Sequence, residues 1–399
     1  MLGDQAPLEG VTVLDVGTYL TAPKPALLLA EFGADVVKVE PPGGCPLRHA
    51  TQFGEPVEGV TSLHAIVNRG KRSIAIDLST DDGRAAFLEL ARDADVLIEN
   101  QAPGRMDDFD LAYEDVAAVN DDLVYCSVSG FGETGPLADR KAVDFMIQGM
   151  SGLAHQNGLL RPDGRPTLTG WFAADELTSA YVTIAVMGAL IGDRGTHIDV
   201  SLLDVLLGAF SAKAASYSAG EPILPPSAPG RREGPRGLYE TATEPLTLDV
   251  LPPVPERFLA LWDVLGFDDW VESERYATVD EICADEAHVE RRVSDRFEAR
   301  PQEDWLEALW EAGLVAAPAQ PVEAAFEHEQ LDGRPVTSTE TDERIGEYLQ
   351  LNFPAMYSDL AVGTARPVAV LGEHTRELLA EAGYDDGEID ALYDAGVVE

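Results

Sequence analysis

Short apolar runs alternate with helix-length segments in the first third of the chain, and this alternation restricts its fold more than any other feature. Residues 11–16 and 35–40 have the apolar character of buried strands, and a proline opens a helical segment over residues 23–32 between them. Because two strands joined by a helix lie parallel in one sheet, these segments form a βαβ unit. The order repeats with strands at 73–77, 95–99 and 123–129 and helices at 81–93 and 113–120. We therefore predict a doubly wound α/β domain.

The turn after the first strand argues against a nicotinamide dinucleotide as ligand. Residues 17–23 lack the G-x-G-x-x-G pattern that brings a backbone close to a pyrophosphate. Glu40 stands at the end of the second strand, where dinucleotide-binding folds place a ribose-binding acid. Without the glycines, we favour a solvated strand end at Glu40 over an NAD-dependent enzyme.

A composition change marks a second domain. Residues 219–237 are rich in proline and glycine and are interpreted as a linker or mobile loop. Beyond them, strand and helix patterns over residues 239–317 suggest a smaller α+β domain. Four tryptophans are predicted to supply its core, namely Trp262, Trp270, Trp305 and Trp310.

The charge of the chain limits its partners. The formal net charge is −43, from 71 acidic and 28 basic residues spread over the whole length. Such a surface repels phosphate groups, so we expect no nucleic acid and no anionic membrane as partner. Since only five residues are lysine, we also hypothesise a protein adapted to high cytosolic salt, which screens self-repulsion. Full folding and activity in dilute buffer would contradict that hypothesis.

No targeting segment or metal motif is apparent. The first ten residues lack a basic or apolar leader region, and we find no apolar stretch of the roughly 18 to 20 residues that span a membrane. We therefore expect a cytoplasmic protein. Cys45, Cys126 and Cys283 are too scattered for a disulfide framework, and the seven histidines show no metal-ligand spacing. Free thiols and no metal are expected.

One carboxylate pair stands where a nucleophile could act. Asp175 and Glu176 lie between a loop punctuated by glycine and proline, residues 164–170, and an apolar run over residues 177–190. A buried helix is predicted to begin near Ala174. Free N–H groups and the helix dipole in its first turn would keep Asp175 ionised. From position alone, Asp175 also fits an ordinary residue that matches the helix dipole.

Seven segments resemble one family in their order along the chain. One of these segments contains Pro166, Thr167 and Gly170, followed five residues later by Asp175. In the family III CoA-transferases, the group of formyl-CoA transferase and carnitine CoA-transferase, a PT-x-x-G loop of this form precedes the catalytic aspartate. Six further matches lie at residues 10–23, 32–44, 68–78, 95–104, 127–136 and 371–392. Seven ordered matches are far more specific than one motif.

This resemblance implies the remaining architecture. It implies a Rossmann-like CoA-binding large domain over residues 1–205, a linker and glycine loop over 206–237, a small domain over 238–317, and a return to the large domain over 318–399. Two chains of this family interlock as linked rings, so the resemblance also implies an interlocked homodimer.

The resemblance implies the reaction as well. Asp175 would attack an acyl-CoA thioester to give a mixed anhydride, CoA thiolate would convert this to an aspartyl-CoA thioester, and a small carboxylic acid would repeat the steps in reverse. CoA thioesters are then substrates, and no cofactor is bound permanently. Backbone N–H groups of a glycine loop would stabilise the tetrahedral intermediates. Gly234 and Gly237 are the predicted positions of that loop, and ordinary loop punctuation fits them equally well.

An acidic chain must concentrate its few cations where the phosphates of CoA bind. The family match assigns CoA contacts to six residues, which are Thr21, Arg48, Lys71, Arg72, Asn100 and Lys141. From position alone, Lys71 and Arg72 also fit a solvated pair before a strand, and Asn100 fits a structural turn cap.

Departures from the family pattern bear on the substrate. Leu20 and Tyr19 replace a glutamine and a valine near the thioester of formyl-CoA transferase, which disfavours a formyl group, and Asp108 replaces an arginine that contacts phosphate. The resemblance suggests small dicarboxylates, such as succinyl-CoA with mesaconate or a malate-type acid. Arg165 or Arg236 could bind the second carboxylate.

Two alternatives remain open. An α-methylacyl-CoA racemase uses the same fold with a histidine base immediately before an aspartate, and Val143 occupies that position before Asp144 here, although His155 is near in sequence. A non-catalytic CoA-binding protein would be expected to lack Asp175, which is present.

Overall fold

The structure is a computed structural model that describes residues 6–53, 55–57, 59–157, 161, 163–192, 195–223, 234–334, 336–358, 360, 362–363 and 366–399. Backbone contacts divide the chain into two units. The first unit comprises Met1–Ile223 and Arg334–Glu399, and the second comprises Leu224–Gly333.

Six parallel strands form the central sheet of the first unit. They are β1 (Thr12–Asp15), β2 (Asp35–Glu40), β3 (Arg72–Ala75), β4 (Val96–Glu99), β5 (Val124–Ser129) and β6 (Thr196–Ser201). Their order is β3-β2-β1-β4-β5-β6, so β1 pairs with β2 on one side and with β4 on the other. The prediction of a doubly wound parallel sheet is confirmed. In such sheets, ligands bind beside the carboxyl ends of the two strands at which the winding reverses, here β1 and β4.

Among the described residues before Ile223, ten α-helices accompany these strands. They are α1 (Pro23–Glu31), α2 (Ser62–Asn68), α3 (Asp81–Arg92), α4 (Arg105–Asp108), α5 (Tyr113–Ala117), α6 (Asp144–Met150), α7 (Leu153–Gln156), α8 (Ala173–Ile191), α9 (Leu202–Gly208) and α10 (Ser211–Ser218). Local chemistry sets their starts. Pro23 opens α1, where its missing N–H is not needed, and the Thr80 hydroxyl accepts a hydrogen bond of 3.0 Å from Gly83 N–H at the start of α3.

Consecutive residues of each central strand contribute to separate cores. Val13 of β1 belongs to the same buried cluster as Val182 of α8. Leu14 belongs to the other cluster, with Phe87 of α3 and Leu379 near the end of the chain. Because both faces of the sheet are covered, its inner strands β1, β4 and β5 are mostly apolar, which is why they stand out as apolar runs in the sequence.

Helix α8 is longer and more apolar than the sequence analysis allowed. By length and composition it could cross a membrane, so the expectation that no stretch reaches this length was wrong. A core helix of a soluble protein meets the same criterion. In this chain α8 packs against α1, α6 and α9 and against strands β5 and β6.

The second unit has its own sheet and core. Three antiparallel strands, β7 (Arg236–Tyr239), β8 (Leu246–Asp249) and β9 (Val315–Pro318), are accompanied by helices α11 (Pro255–Leu265), α12 (Asp268–Glu272), α13 (Val279–Ala284), α14 (Glu286–Phe297), α15 (Gln302–Glu311) and α16 (Val322–Phe326). Trp262, Trp270 and Trp305 are fully buried there, as predicted. The prediction was wrong for Trp310, which is 56% exposed, with its indole N–H donating to the Ala316 carbonyl.

The last segment of the chain belongs to the first unit. It contains the hairpin β10 (Thr337–Asp342) and β11 (Gly346–Leu351) and the helices α17 (Thr375–Glu381) and α18 (Asp386–Asp394). The unit boundaries differ from the predicted ones. Helix α10 lies within the predicted linker but belongs to the first unit. The second unit continues past residue 318 to Gly333, because β9 ends at Pro318 and α16 follows it.

Candidate active site

A cavity of about 470 Å³ lies beside the carboxyl ends of β1, β4 and β5, where the winding of the sheet reverses. The turns that follow these strands form its walls, with residues 18–21 after β1, 100–103 after β4 and 128–130 at the end of β5. Residues 140–145 also line it. The structure therefore brings together four of the predicted site residues, which are Thr21, Asn100, Lys141 and Asp175. Their functional roles remain predictions.

The start of α8 is capped from another helix. Phe172 occupies the N-cap position and offers no side-chain hydrogen bond. Instead Asp144, the first residue of α6, accepts hydrogen bonds from the backbone N–H groups of Ala174 at 2.6 Å and Asp175 at 3.2 Å. Asp144 is 3% exposed. The sequence analysis used Asp144 only as a landmark, because this contact joins residues about thirty positions apart.

The pKa of Asp175 is raised, whereas the start of a helix was expected to lower it. We expected free N–H groups and the helix dipole to favour its ionised form, but the N–H of Ala173 donates to the Trp171 carbonyl, and the N–H groups of Ala174 and Asp175 donate to the carboxylate of Asp144. Burial, the charge of Asp144 and the charge of Glu176 together raise the pKa of Asp175 to about 7. Glu176 forms an ion pair with Lys24 of α1. Within the described residues, the Asp175 carboxylate has no such ion pair and lines the cavity.

Asn100 holds the turn after β1. Its amide donates to the Thr18 carbonyl and to the Thr21 hydroxyl, both at 2.8 Å, and its carbonyl accepts from Thr18 N–H at 2.7 Å. Between them Tyr19 has a φ of 57°, a strained conformation for a non-glycine residue. Asn100 therefore fixes the shape of one cavity wall, which agrees with the structural-cap interpretation of this residue.

Two adjacent cations line the cavity. Arg140 and Lys141 are both exposed and line the same cavity as Asp175. Neither forms an ion pair within the described part of the chain. In a chain with 71 acidic residues, two neighbouring cations of this kind are suited to bind an anionic ligand. Lys141 was predicted from the sequence, whereas Arg140 was not.

The predicted CoA contact at Arg48 is corrected by the structure. Arg48 is buried, and its guanidinium donates to both carboxylate oxygens of Glu40 at 2.7 and 2.8 Å. Burial alone would raise the pKa of Glu40, but the hydrogen bonds and charge of Arg48 hold it well below its usual range. Glu40 is therefore one half of a buried ion pair, and its interpretation as a solvated strand end was also wrong.

Lys71 and Arg72 are likewise committed to internal contacts. The Lys71 ammonium is 1% exposed and donates to Asp15 at 2.8 Å, to the Pro23 carbonyl at 2.7 Å and to Asn68 at 2.9 Å. Burial lowers the pKa of Lys71 to about 8. Arg72 joins Asp35 of β2 to two glutamates of α17, Glu377 and Glu381. Both cations tie elements of the first unit together, and neither lines the cavity, so we withdraw them as CoA contacts.

The remaining candidates are the two glycines of the predicted loop and the two arginines predicted to bind a second carboxylate. Gly234 and Gly237 belong to the second unit, with φ angles of 72° and 130°, and their role as a loop over the substrate remains a prediction. A Cβ atom at Gly234 would meet the ring of Phe258 at 3.0 Å. Arg165 forms an ion pair with Asp163 at 2.5 Å and does not line the cavity, so we withdraw it as a ligand of the second carboxylate. Arg236 forms an ion pair with Asp249 at 3.1 Å.

No histidine is among the described residues that line the cavity. Val143 occupies the position of the racemase base and is 58% exposed, and His155 of α7 lies outside the cavity lining. The described residues contain one potential metal-binding group, formed by Glu40, Cys45 and His64. It is poorly suited to a metal, because Arg48 occupies both oxygens of Glu40 and burial raises the pKa of the Cys45 thiol to about 11.

A doubly wound sheet with a cavity at its winding reversal, lined by a half-buried carboxylate and by two cations, is the arrangement of an α/β enzyme that binds an anionic ligand. The chain belongs to the CoA-transferase family III, whose family model matches residues 8–375. It is therefore a CoA-transferase, a class of enzyme that uses CoA thioesters and carboxylic acids as substrates.

Individual relatives agree with this assignment. The chain is 33% identical to the succinate–glutarate CoA-transferase of Agrobacterium fabrum over 94% of this chain and 95% of that protein. It is 29% identical to the succinyl-CoA:mesaconate CoA-transferase of Haloarcula hispanica over 95% and 97%. Among solved structures, a CAIB/BAIF family protein from Brucella suis superimposes with a TM-score of 0.82 at 31% identity, covering 95% of this chain and all of that one.

Proposed function

We propose that this chain moves CoA from an acyl-CoA donor to a carboxylic acid through an aspartyl-CoA thioester on Asp175. One observation carries the proposal. Asp175 lines the cavity at which the winding of the sheet reverses, and its carboxylate has no ion pair within the described residues. A pKa of about 7 leaves much of it ionised at neutral pH and makes it a stronger nucleophile than an ordinary aspartate.

The steps balance without a cofactor. An Asp175 oxygen attacks the thioester carbon of the donor, the C–S bond breaks, and CoA leaves as thiolate from a mixed anhydride. The thiolate attacks the Asp175 carboxyl carbon and releases the donor acid, which leaves CoA bound to the enzyme as a thioester. The acceptor carboxylate then attacks this thioester, and the returning thiolate takes the acceptor acyl group and frees Asp175.

We further propose dicarboxylic acids as the substrate class, with succinyl-CoA as the donor and a small dicarboxylate such as mesaconate or glutarate as the acceptor. Arg140 and Lys141 support this, because a thioester-linked dicarboxylate presents one free carboxylate besides the phosphates of CoA. The named activities of the Agrobacterium and Haloarcula relatives, which both involve succinate or succinyl-CoA, point the same way. We assign the free carboxylate to Arg140 and the phosphates to Lys141.

We expect new CoA thioesters from dicarboxylic acids when succinyl-CoA is offered with a panel of mono- and dicarboxylic acceptors in molar salt. The matched variants are Arg140→Leu and Arg165→Leu, since Arg165 is an exposed arginine paired with Asp163 outside the cavity lining. Arg140→Leu should lower kcat/KM for dicarboxylic donors by about tenfold relative to monocarboxylic ones, and Arg165→Leu should change neither. Mass spectrometry of the thioesters measures both. An equal loss for both donor classes would instead assign Arg140 to the phosphates of CoA.

We also propose that the chain works as a homodimer in high salt. Apolar side chains stand exposed on α8 and α10 of the single chain, among them Ile184 at 65%, Ile191 at 85% and Tyr217 at 77%. A second copy that covers them would bury a patch of the kind that marks an interface. We expect light scattering in about 2 M KCl to give twice the mass of one chain, with dissociation or unfolding in dilute buffer as charge screening is lost. A stable, active monomer in dilute buffer would contradict the dimer and the salt requirement together.

A further inference from the structure

One glutamine outside the cavity lining connects Asp144 to the loop that precedes Asp175. Gln148 of α6 is completely buried, and its side-chain amide is fully used. The Nε2 group donates to the Asp144 carboxylate and, at 3.0 Å, to the Trp171 carbonyl. The Oε1 atom accepts from the backbone N–H and from the hydroxyl of Thr169, both at 2.9 Å.

These four bonds join two segments that fix the nucleophile. Thr169 and Trp171 belong to the loop that leads into α8, so Gln148 holds the loop immediately before the helix. Asp144 holds the helix itself through the N–H groups of Ala174 and Asp175. A single buried amide therefore binds both the loop and the group that caps the helix, and it does so from the turn of α6 that follows Asp144.

The same region has a second, apolar connection. The rings of Phe145 and Phe172 stack at 5.6 Å with an interplanar angle of 24°. This contact keeps α6 beside the loop in a variant that lacks the amide of Gln148. Removing the amide should consequently loosen the position of Asp175 without separating the two segments.

We infer that Gln148 is a positioning residue that sets where the Asp175 carboxylate stands relative to the acyl-CoA thioester. This inference rests on the proposed nucleophilic role of Asp175. Removing this buried amide takes the acceptor from the Thr169 N–H and one donor each from the Trp171 carbonyl and the Asp144 carboxylate, which keep their other hydrogen bonds. Because a displacement of about 1 Å at a reacting group lowers rates by about 100-fold, the effect of removal falls on kcat.

The test compares two buried glutamines of the first unit. Gln148→Leu removes the connecting amide. Gln350→Leu removes a glutamine that is 1% exposed, donates to the Leu351 carbonyl at 2.7 Å and does not line the cavity. We expect Gln148→Leu to lower kcat by about 30-fold or more with less than a threefold change in KM for acyl-CoA, and Gln350→Leu to leave both within about threefold.

A second variant guards against a failure to fold. Gln148→Met keeps an unbranched side chain of similar length and adds no charge, but it loses the hydrogen bonds to Asp144, Trp171 and Thr169. It should also lower kcat with KM nearly unchanged. A native-like kcat in either folded variant, or a rise in KM at unchanged kcat, would overturn the positioning role. Asp175→Ala is measured beside them: if it is inactive while Gln148→Leu is fully active, the inference on Gln148 fails alone, and if Asp175→Ala is active, the proposed function itself fails.

Discussion

Replacing Asp175 with alanine is expected to abolish CoA transfer, with a fall in kcat of about 10⁴-fold or more, the scale seen when a covalent nucleophile is removed. Every step of the proposed reaction forms or breaks a bond to this carboxylate. The matched control is Glu176→Gln, one residue along the same helix turn. Glu176 is bound to Lys24 and does not line the cavity, so its loss should lower kcat by less than about tenfold.

Mass spectrometry of the intact protein gives the decisive measurement. The native enzyme and Glu176→Gln should each gain the mass of one CoA less one water when incubated with acyl-CoA, and Asp175→Ala should gain nothing. Unfolding is a poor explanation for the loss, because a carboxyl whose pKa is raised in the folded state destabilises the protein increasingly as pH rises from about 4 to about 7. An uncharged residue at position 175 should therefore unfold at no lower temperature than the native chain at pH 8. A CoA adduct on Asp175→Ala would assign the nucleophile to another residue.

The architecture of the first unit could be predicted because its signals are local. The strands β1, β2, β4 and β5 are buried on both faces, so each appears as a mostly apolar run, although Lys38 interrupts β2 and Ser127 interrupts β5. Pro23 and Thr80 mark helix starts within one residue of those observed. The extent of the second unit depends instead on contacts between distant segments. Strand β9 pairs with β8 across about seventy residues, and nothing near residue 318 indicates that the unit continues to Gly333.

The same contrast between local signals and contacts of distant segments applies to the candidate site. Asp175 could be found from the sequence because the loop before it and the apolar run after it are adjacent to it in the chain. Its pKa could not, since Asp144 reaches the start of α8 from a separate helix. The basic residues show the same limit: a sequence reveals that Arg48, Lys71 and Lys141 are cations, but only the fold shows that the first two are buried against Glu40 and Asp15.

The raised pKa of Asp175 predicts how activity depends on pH. Burial comes first among its causes, followed by the negative charges of Asp144 and Glu176, and together they bring the pKa from 3.8 to about 7. Only the ionised carboxylate attacks, so kcat/KM for acyl-CoA should rise about tenfold per pH unit below pH 7 and level off above it. Activity at pH 5 should then be about one hundredth of the plateau. An ordinary aspartate would give a flat profile over this range, and that result would contradict the assignment.

Asp144→Asn separates the charge of the cap from its hydrogen bonds. Asparagine keeps one oxygen that can accept from Ala174 N–H but carries no charge, so the pKa of Asp175 should fall and the pH of half-maximal kcat/KM should move down by on the order of one unit. The half-maximal pH is the quantity to compare, because the plateau value of kcat/KM also depends on the hydrogen bond from Gln148 to Asp144. The single oxygen of asparagine cannot accept both that bond and the one from Ala174 N–H in the same geometry. Glu176→Gln should move the half-maximal pH in the same direction by less, because Lys24 already offsets the charge of Glu176. Burial persists in both variants, so neither should bring the half-maximal pH down to that of an exposed aspartate. If Asp144→Asn leaves the half-maximal pH unchanged or raises it, the charge of Asp144 does not act on the nucleophile, and burial with the charge of Glu176 accounts for the pKa of Asp175.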